Sequence, residues 1–438
     1  MVYQPLSEVV HFEGVSNGTD VNGTGLKRYQ VVNQEKFKEK WKDELACQQE
    51  NTGDPDPFTA RDRSGNKKCI LIVDHYVPTW DKDAGSVTTY QYIRMFVKQG
   101  WNVKFLGDNF LHEEPYTTVL TQMGVEVLYG ERLKSGIWDW IAKNKSHIDV
   151  AYLNRPHIAA KYIDTLKDCG IRCIFYGHDL HYLRIRREYE LTGEIRKKRE
   201  SDYWKSLEYE VMEKADKVYY PSADEVAEIC RMRPDLAGKT KAIIAFLYEN
   251  ENAAEISAEA AAKKRSGFLF LGGFKHPPNA DGVLWFAENC WDAIRSACPG
   301  AEFFVAGSSP TEEILALPAS HPGISVLGFI TDEKRDELYR SVKVVAVPLR
   351  YGAGVKGKVT EALAEGSAVV TTPVGAEGIP EAEKAMVICK EADEFTEACI
   401  RLYQDEAAQE TMRNAGRALI REHFSPEAAW KVIEKDFR

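Results

Sequence analysis

A glycine-rich loop between two apolar segments carries positive charge where an anion could bind. The segment AVPLRYGAGVKGKVTEALAEGSAVVTTPVGAEGI, at positions 346–379, has the pattern strand, loop, helix, strand, loop. Gly352, Gly354 and Gly357 allow backbone N–H groups to approach a ligand above the carboxyl end of the first strand. The helix that begins near Lys358 directs its positive end to the same place. This arrangement predicts an anion-binding site.

The charge of this segment supports the prediction. From Leu338 to Thr360 the chain has basic residues and no acidic one, although its net charge is −10. The basic residues are Arg340, Lys343, Arg350, Lys356 and Lys358. A helix terminus stabilises an anion by about 0.3–1 kcal/mol, whereas a lysine ~4 Å from a phosphate contributes up to about 4 kcal/mol at an effective dielectric constant of 20. We therefore expect Lys356 and Lys358 to contribute most, with Arg350 beside them.

Glu361 lies one helical turn after Lys358, on the same face of the predicted helix. Its carboxylate can accept hydrogen bonds from two neighbouring hydroxyl groups, as a ribose presents them. Lysines on a diphosphate and a glutamate on a ribose together predict a nucleotide site.

These residues resemble the second domain of the family-4 (group 1) retaining glycosyltransferases, which have the GT-B fold. The family pattern is a strand that ends in proline, a G-x-G-x-K loop and an E-A-L/M-A-x-G helix. This chain has that pattern in Pro348, Gly352, Gly354, Lys356 and Glu361-Ala362-Leu363-Ala364-Glu365-Gly366. Many members have a second glutamate eight residues before the ribose glutamate. This chain has Ala353 there, as does a branch of the family with an A-G-x-K-x-K loop.

The resemblance covers roughly residues 68–438 and implies an α/β chain of the GT-B fold. Two Rossmann-like, doubly wound domains would face each other across a cleft, with a C-terminal helix crossing back onto the first domain. The implied reaction is retaining transfer of a hexose-type sugar from a UDP, GDP or similar nucleotide sugar to a glycan, glycolipid or other lipid-linked acceptor. No metal and no cofactor besides this donor substrate would be required. Polysaccharide or glycolipid assembly is the implied setting.

The composition fits such an enzyme. The chain has 438 residues, which favours two domains with an extension, and its hydrophobic and charged fractions of 44% and 28% are ordinary for globular proteins. No apolar run approaches the roughly 20 residues of a membrane span, and no secretory signal is visible. Nine scattered cysteines without C-x-x-C pairs indicate a reduced, cytoplasmic protein. The acidic balance argues against nucleic acid as a partner.

From Cys69 onward, strand and helix patterns alternate, which predicts parallel sheets. The expected divisions are an N-terminal extension at 1–66, an acceptor domain at 67–248, a linker at 249–265, a nucleotide-sugar domain at 266–423 and a crossover helix at 424–438. The first helix is predicted at Ser86–Gln99 with Ser86 as its N-cap, and six strands are predicted in the second domain. The resemblance implies that Gly85 faces the cleft and lets the acceptor or a phosphate approach.

Polar side chains follow directly on a buried strand of the first domain, in the segment FYGHDLHYLR at 175–184. Open parallel sheets bind ligands at this edge, so His178, Asp179, His181 and Arg184 are candidates for substrate contact. The resemblance implies that this loop supplies a histidine or an aspartate near the transferred sugar. His178 or Asp179 could be that residue, while His181 and Arg184 could instead brace the loop.

Two further turns are expected at the cleft. In GGFKHPPN, at 272–279, Gly272, Gly273 and Lys275 could meet the diphosphate of the donor. In VGAEGI, Glu377 could approach the sugar or the base, or cap the following turn.

Basic residues of the first domain are compatible with peripheral contact at the inner face of a membrane, although neighbouring glutamates dilute their charge. They are Arg184, Arg186, Arg187 and the run Arg196-Lys197-Lys198-Arg199.

No metal site is expected. His178 and His181 have the spacing of a metal pair, but no third ligand is apparent nearby. The Asp-x-Asp tripeptides at 54–56 and 81–83 do not directly follow a buried strand, so we interpret them as surface acids.

Other functions fit the same sequence. A sugar-nucleotide epimerase or a phosphorylase would keep the fold and change the reaction. A catalytically degenerate GT-B scaffold subunit would bind the nucleotide sugar without turnover, and Ala353 is the only hint of it. A dinucleotide oxidoreductase is disfavoured because neither domain has G-x-G-x-x-G followed about twenty residues later by an acid.

Overall fold

The structure, a computed structural model, describes residues 20–46, 48, 53, 58, 67–249, 265–352 and 354–437. The chain divides into two compact units, Met1–Lys68 and Cys69–Arg438. The described part of the first unit contains the helices Arg28–Lys40 and Lys42–Ala46, and neither has a buried side chain. Most of the predicted extension at 1–66, most of the predicted linker at 249–265, and Ala353 lie outside the described residues.

The apolar segments of the first predicted domain form a parallel sheet of seven strands, in the order β3-β2-β1-β4-β5-β6-β7. The strands are β1 Cys69–Asp74, β2 Asn102–Gly107, β3 Glu126–Leu128, β4 Val150–Asn154, β5 Arg172–Tyr176, β6 Lys217–Tyr220 and β7 Thr240–Ala242. Both β1 and β2 are buried along their whole length, as strands covered on both faces must be. The chain order reverses between β1 and β4, so right-handed connections place helices on both faces.

The helices of this domain are Ala84–Lys98, Tyr116–Gln122, Glu131–Asn144, Pro156–Asp168, His181–Thr192, Ile195–Lys214 and Ala223–Met232. The prediction that Ser86 caps the first of them was wrong, because Asp83 is the N-cap residue. The Asp83 carboxylate accepts the backbone N–H of Ser86 at 2.9 Å and its hydroxyl at 2.6 Å. Aspartate caps a helix as well as serine does, so the helix begins two residues earlier than predicted, at Ala84. Asp83 is therefore a structural residue and not simply a surface acid.

The second predicted domain forms a parallel sheet of six strands, in the order β10-β9-β8-β11-β12-β13, which confirms the predicted number. The strands are β8 Phe268–Leu271, β9 Phe303–Ala306, β10 Ile324–Gly328, β11 Val344–Val347, β12 Ala368–Thr371 and β13 Val387–Ile388. The α-helices of this part are Pro277–Phe286, Asp292–Ala297, Glu312–Ser320, Asp332–Ser341, Gly357–Ala364, Pro373–Ala376, Ala382–Ala385, Ala392–Gln404, Glu406–His423 and Pro426–Ile433. None of the described helices is both long and apolar enough to cross a membrane.

The last helix, Pro426–Ile433, returns to the first domain. Ser425 caps it, and its hydroxyl accepts the N–H of Ala428 at 3.1 Å. Its residue Ile433 is fully buried in the core of the first sheet. Beyond it, the Asp436 carboxylate accepts a hydrogen bond from the Tyr219 hydroxyl at 2.7 Å. The predicted architecture, two doubly wound domains with a C-terminal helix crossing back, is thereby confirmed.

Candidate functional site

The loop after β11 presents a lysine and backbone groups at the carboxyl end of the second sheet. Gly354 has φ +72°, a backbone conformation that favours glycine, and the helix Gly357–Ala364 begins three residues later. The Lys356 side chain folds back so that Nζ donates to the carbonyl oxygen of Gly354. Its Nζ also lies 3.4 Å from Glu377 Oε2. Burial lowers the pKa of Lys356, and only the nearby Glu377 carboxylate opposes this effect strongly.

Lys358 is the second cation of this loop, and its side chain is half-buried. Nζ donates to Asn279 Oδ1 and lies 4.8 Å from the centre of the Phe270 ring. Burial, reinforced by the charge of Lys356, lowers the pKa of Lys358 to about 7. No described carboxylate forms an ion pair with it. A charge withdrawn from water without a partner costs several kcal/mol, so the unpaired Lys358, with the charge of Lys356 beside it, favours an anion as the missing partner.

Gly272, in the turn after β8, lies beside Lys358. A Cβ on Gly272 would stand only 2.6 Å from Lys358 Nζ and 2.9 Å from the amide nitrogen of Asn279. A side chain at this position would have to displace the ammonium group or the amide from where they now lie. A Cβ on the next residue, Gly273, would lie 3.2 Å from the hydroxyl of Ser308.

Glu361 follows on the same helix and already has two partners. Its carboxylate accepts the Tyr339 hydroxyl at 2.9 Å and lies 3.4 Å from Nε of Arg335. Burial raises the pKa of Glu361, although Arg335 opposes the shift. The carboxylate is held in one orientation before any ligand arrives, which suits recognition of a fixed pair of hydroxyl groups.

The loop after β5 contains a network of charged groups. The Asp179 carboxylate accepts from Arg184 Nε at 2.7 Å and lies 3.0 Å from His181 Nδ1. Burial disfavours the carboxylate, but the cationic His181 and Arg184 outweigh it and hold the pKa of Asp179 well below its usual range. Burial likewise opposes a charge on His181, yet Asp179 and Glu208 raise the pKa of this imidazole to about 10. His181 and Arg184 thus brace Asp179, as one of the two sequence interpretations expected.

His178 differs from its neighbour His181 in charge. It has φ +63°, and its Nε2 lies 3.0 Å from Asn154 Oδ1 at the end of β4. Burial, together with the cationic Arg155, lowers the pKa of His178 to about 3. The loop therefore presents a neutral imidazole beside an ionised carboxylate at neutral pH.

The two loops face each other across the boundary between the domains. A Cβ on Gly354 would lie 3.9 Å from the Cβ of Asp179. Arg187, in the helix after the Asp179 loop, donates to the carbonyl oxygen of Gly352 at 2.9 Å and to Glu377 Oε1 at 3.0 Å. A cavity of about 480 Å³, within the size range of ligand sites, is lined by Arg187, Gly352 and Glu377 but not by Lys356, Lys358 or Asp179. Glu377 is thus shared between Lys356 and Arg187.

Two other residues that were predicted to bind the donor substrate do not contact the lysines of the glycine loop. Arg350 is half exposed and forms an ion pair with Asp281, with Nε 2.8 Å from Oδ2. Lys275 is exposed on the loop after β8. Neither residue shares a contact with Lys356 or Lys358 among the described residues. No group of three or more histidine, cysteine, aspartate or glutamate side chains in the described ranges is arranged to hold a metal ion.

Gly85 lies against a buried ion pair of the first domain. A Cβ at this position would stand 2.5 Å from Nη2 of Arg155, whose Nε donates to Asp74 at 2.8 Å. Asp74 is only 2% exposed, and although burial opposes its charge, Arg155 keeps its pKa low. The space that the resemblance assigned to an approaching ligand is occupied here by the Arg155 guanidinium group.

Gly85→Ala should destabilise the protein, because the new methyl group displaces Arg155 and weakens a charged hydrogen bond to a buried carboxylate. We expect a loss of about 1–3 kcal/mol in the free energy of unfolding, measured by urea denaturation. Gly136→Ala is the matched control, since a Cβ there meets nothing within 4 Å. Equal stability of the two variants would contradict the packing assigned to Gly85.

Sequence reasoning missed several residues of this site. Asn279, which meets Lys358, lies in the quoted segment GGFKHPPN but carries no charge that would single it out. Arg187 appeared only as a basic surface residue, and its contact with Glu377 spans 190 positions. Glu208 and Glu225, discussed below, resemble ordinary helix residues. The only signal in the sequence was the lack of acidic residues around the two lysines, which indicates that a neutral acceptor such as Asn279 must contact one of them.

Comparisons with known proteins agree with this geometry. Residues 265–405 match the family model described as Glycosyl transferases group 1. The sucrose-phosphate synthase of Thermosynechococcus elongatus is similar in structure, with TM-score 0.62 and 16% identity over 85% of this chain and 98% of that one. HepE of Anabaena in complex with UDP has TM-score 0.59 and 13% identity over 84% of this chain and 99% of that one.

One curated relative is also similar in sequence. It is an uncharacterized 44.6 kDa protein in the cps region of Klebsiella pneumoniae, 22% identical over 174 residues. The match spans 38% of this chain and 45% of the relative, so it covers less than half of either protein. The match to the glycosyl transferases group 1 model is confined to residues 265–405, about a third of the chain, and the chain has the GT-B fold.

Proposed function

We propose that this protein transfers a sugar from a nucleotide diphosphate sugar to an acceptor held mainly by the first domain. The observation that carries the proposal is Lys358, a half-buried lysine without a counter-ion among the described residues, next to Lys356 on the loop that faces Asp179. A diphosphate placed over the glycine loop would supply the missing negative charge. The sugar attached to it would then extend toward the loop at 178–181.

In this proposal the lysines act on the leaving group. Negative charge grows on the diphosphate as the bond to the sugar breaks, and Lys356, Lys358 and the backbone N–H groups of the loop stabilise it there. The sugar carbon gains positive charge at the same time, and the ionised Asp179 carboxylate lies on that side of the cleft. His178, neutral at pH 7, offers a hydrogen bond to a sugar hydroxyl without adding charge.

We further propose that the reaction retains the configuration of the sugar. A double displacement would require a carboxylate free to attack the anomeric carbon. Asp179 is occupied by Arg184 and His181, and Glu377 by Arg187 and Lys356. Departure of the diphosphate and attack by the acceptor on the same face need no such nucleophile, and the departing phosphate oxygen can take the acceptor proton. The charge of the two lysines also performs the task for which other transferases use a metal, so we propose metal-independent activity.

Uracil is the first base to test, because the similar HepE protein was crystallised in complex with UDP. A glycan or lipid-linked acceptor and a cytoplasmic location remain proposals from the sequence. For peripheral membrane contact, ion pairs within the protein already neutralise part of the basic patch. Lys197 is engaged by Glu188 and Glu200, and Arg186 by Glu190.

The direct test is a thermal-shift panel of nucleoside diphosphates and their sugars. A ligand at 100 times its dissociation constant stabilises the folded protein by about 2.7 kcal/mol, enough to identify base and sugar. Turnover with the best donor is then measured with and without EDTA, and proton NMR of the product reports the anomeric configuration. An inverted product would contradict retention, and loss of activity in EDTA would contradict metal independence. No shift with any nucleotide would contradict the proposal as a whole.

The alternatives predict different results in the same assays. An epimerase would release a changed sugar from the donor without an acceptor, and a phosphorylase would require inorganic phosphate. A scaffold subunit would bind the nucleotide sugar and show no turnover with any acceptor.

Glu361→Gln should weaken donor binding about 10- to 150-fold, because a hydrogen bond to a charged group contributes about 1.5–3 kcal/mol. Calorimetry with the nucleoside diphosphate and with its 2′-deoxy form locates the effect at the ribose. The wild-type protein should discriminate between the two ligands, and the variant should not. If the wild-type protein binds both equally, Glu361 does not contact the ribose.

A further inference from the structure

The helix His181–Thr192, which follows the loop at 178–181, has no cap of its own. Its N-cap residue is Leu180, whose side chain cannot accept a hydrogen bond. Carboxylates from two other helices satisfy its first N–H groups. Glu225 Oε1 accepts from Leu180 at 2.9 Å, and Glu208 accepts from His181 at 2.8 Å and from Tyr182 at 3.2 Å. Three consecutive backbone donors are thus held by two side chains distant in sequence.

Both carboxylates are buried, which disfavours their ionised form. Glu208 is 0% and Glu225 is 3% exposed. Burial raises the pKa of Glu208, and burial together with Asp179 raises the pKa of Glu225 to about 8. A serine or aspartate at the N-cap position is the usual way to satisfy these N–H groups, and it needs no carboxylate from another helix. The arrangement therefore does more than end a helix, since it ties the backbone beside Asp179 to two neighbouring helices.

A local role in its own helix does not account for Glu225. The sequence Ser222-x-x-Glu225 matches a capping box, in which the glutamate would return to the N–H of residue 222. Ser222 does cap the helix Ala223–Met232, accepting the N–H of Glu225 at 3.1 Å. The Glu225 carboxylate instead meets the Ser222 hydroxyl at 3.0 Å with one oxygen and Leu180 with the other. It joins the helix start to the loop.

Glu208 extends the same support to a side chain. Its Oε1 lies 3.5 Å from Nδ1 of His181, and that nitrogen is 3.0 Å from Asp179 Oδ1. Glu208 therefore fixes both the backbone and the imidazole of His181, and through them the direction of the Asp179 carboxylate.

We propose that Glu208 and Glu225 are positioning residues that fix the loop at 178–181 so that Asp179 faces the diphosphate loop. The proposal rests on the proposed function, because it assigns these residues to the sugar end of that site. Neither residue is assigned a contact with the substrate. Reactions of this kind are sensitive to displacements of about 1 Å, which cost about 100-fold in rate.

The test compares Glu225→Ala, Glu208→Ala and Glu225→Gln with the control Glu210→Ala. Glu210 lies on the same helix as Glu208, is exposed and pairs with Lys214 at 2.8 Å. Turnover number, nucleotide affinity by calorimetry and melting temperature are measured for each. We expect both alanine variants at the buried positions to lose about 10- to 100-fold in kcat. Their nucleotide affinity should change by less than about threefold, because the lysines lie on the other domain.

The glutamine variant separates positioning from mere loss of stability. An amide oxygen can still accept the N–H of Leu180, and its NH₂ group can donate to the Ser222 hydroxyl. Glu225→Gln should therefore recover most of the turnover that Glu225→Ala loses. Equal losses in both, or normal turnover in folded Glu225→Ala and Glu208→Ala, would overturn the proposal. If Glu208→Ala does not fold, Glu208→Gln, which keeps one acceptor, is measured instead and should lose less.

A measurement without substrate distinguishes this proposal from the proposed function. Titration of His181 by NMR, assigned with a His181→Asn variant, reports the pKa that Asp179 and Glu208 raise to about 10. Glu208→Ala should lower that pKa by more than one unit, whereas Glu210→Ala should leave it unchanged. An unchanged pKa in Glu208→Ala would overturn the positioning role even if the enzyme is a transferase. Failure of wild-type protein to bind any nucleotide would instead overturn the proposed function.

Discussion

Lys358→Ala should weaken binding of the nucleoside diphosphate about 10- to 150-fold, and turnover should fall with it. The ammonium group has no ionic partner among the described residues, so an anion gains a charged hydrogen bond there of about 1.5–3 kcal/mol. Lys356→Ala should have a smaller effect, because Lys356 already interacts with Glu377. Calorimetry measures both affinities. Unchanged affinity in both variants would exclude this loop as the phosphate site.

The same lysine should make donor binding depend on pH. In the free protein burial lowers the pKa of Lys358 to about 7, and a bound diphosphate would raise it again. Above about pH 7, binding of the nucleotide then requires Lys358 to take up a proton. For one proton, affinity should fall by up to about tenfold for each pH unit between pH 7 and 10. A phosphate group with a second pKa near 6 is already ionised in this range and adds no dependence.

Lys358→Arg is the matched variant for this experiment, since arginine stays protonated throughout. It should bind the nucleotide and show a weaker pH dependence, the remainder coming from Lys356. Calorimetry in buffers of different ionisation enthalpy counts the protons taken up at pH 8. An equal count in wild-type protein and Lys358→Arg would show that another group titrates.

Asp179→Asn should lower kcat about 100- to 1,000-fold, the range found when one preorganised electrostatic contact to a transition state is removed. The substitution keeps an acceptor for Arg184 and removes the charge that faces the breaking bond. Nucleotide affinity should change little, because a group that acts on the transition state affects turnover more than ground-state binding. Turnover, affinity and melting temperature are measured together.

Variants at the two histidines complete this test. His178→Ala should reduce turnover if the neutral imidazole contacts the sugar. His181→Ala should chiefly reduce stability, since that imidazole lies between Asp179 and Glu208. Asp202→Asn, at an exposed position of the helix Ile195–Lys214, is the control. Normal turnover in every variant would place the chemistry elsewhere, with Glu377 as the next candidate.

The sequence by itself determined the fold class, and it grouped the residues of the loop to which we assign the phosphates. Parallel strands buried on both faces are continuous apolar runs, so their number in the second domain could be counted directly. Glycines and lysines within a dozen residues of one another form a local pattern, and Lys356, Lys358 and Glu361 lie together on one loop and helix for that reason. The N-cap at Asp83 was missed because aspartate and serine are equally good N-cap residues, and the sequence has both, at positions 83 and 86.

Only the tertiary structure decided the charge state and the support of the site. Whether a lysine is paired depends on which residues the fold brings near it, and Asn279 is 79 positions from Lys358. Arg187 meets Glu377 across the domain boundary, and Glu225 meets Leu180 across 45 positions. The Arg155 guanidinium group, 70 positions from Gly85 in the sequence, fills the space beside that glycine. Such contacts have no period or spacing in the sequence, because they arise from strand order and domain packing and not from neighbouring residues.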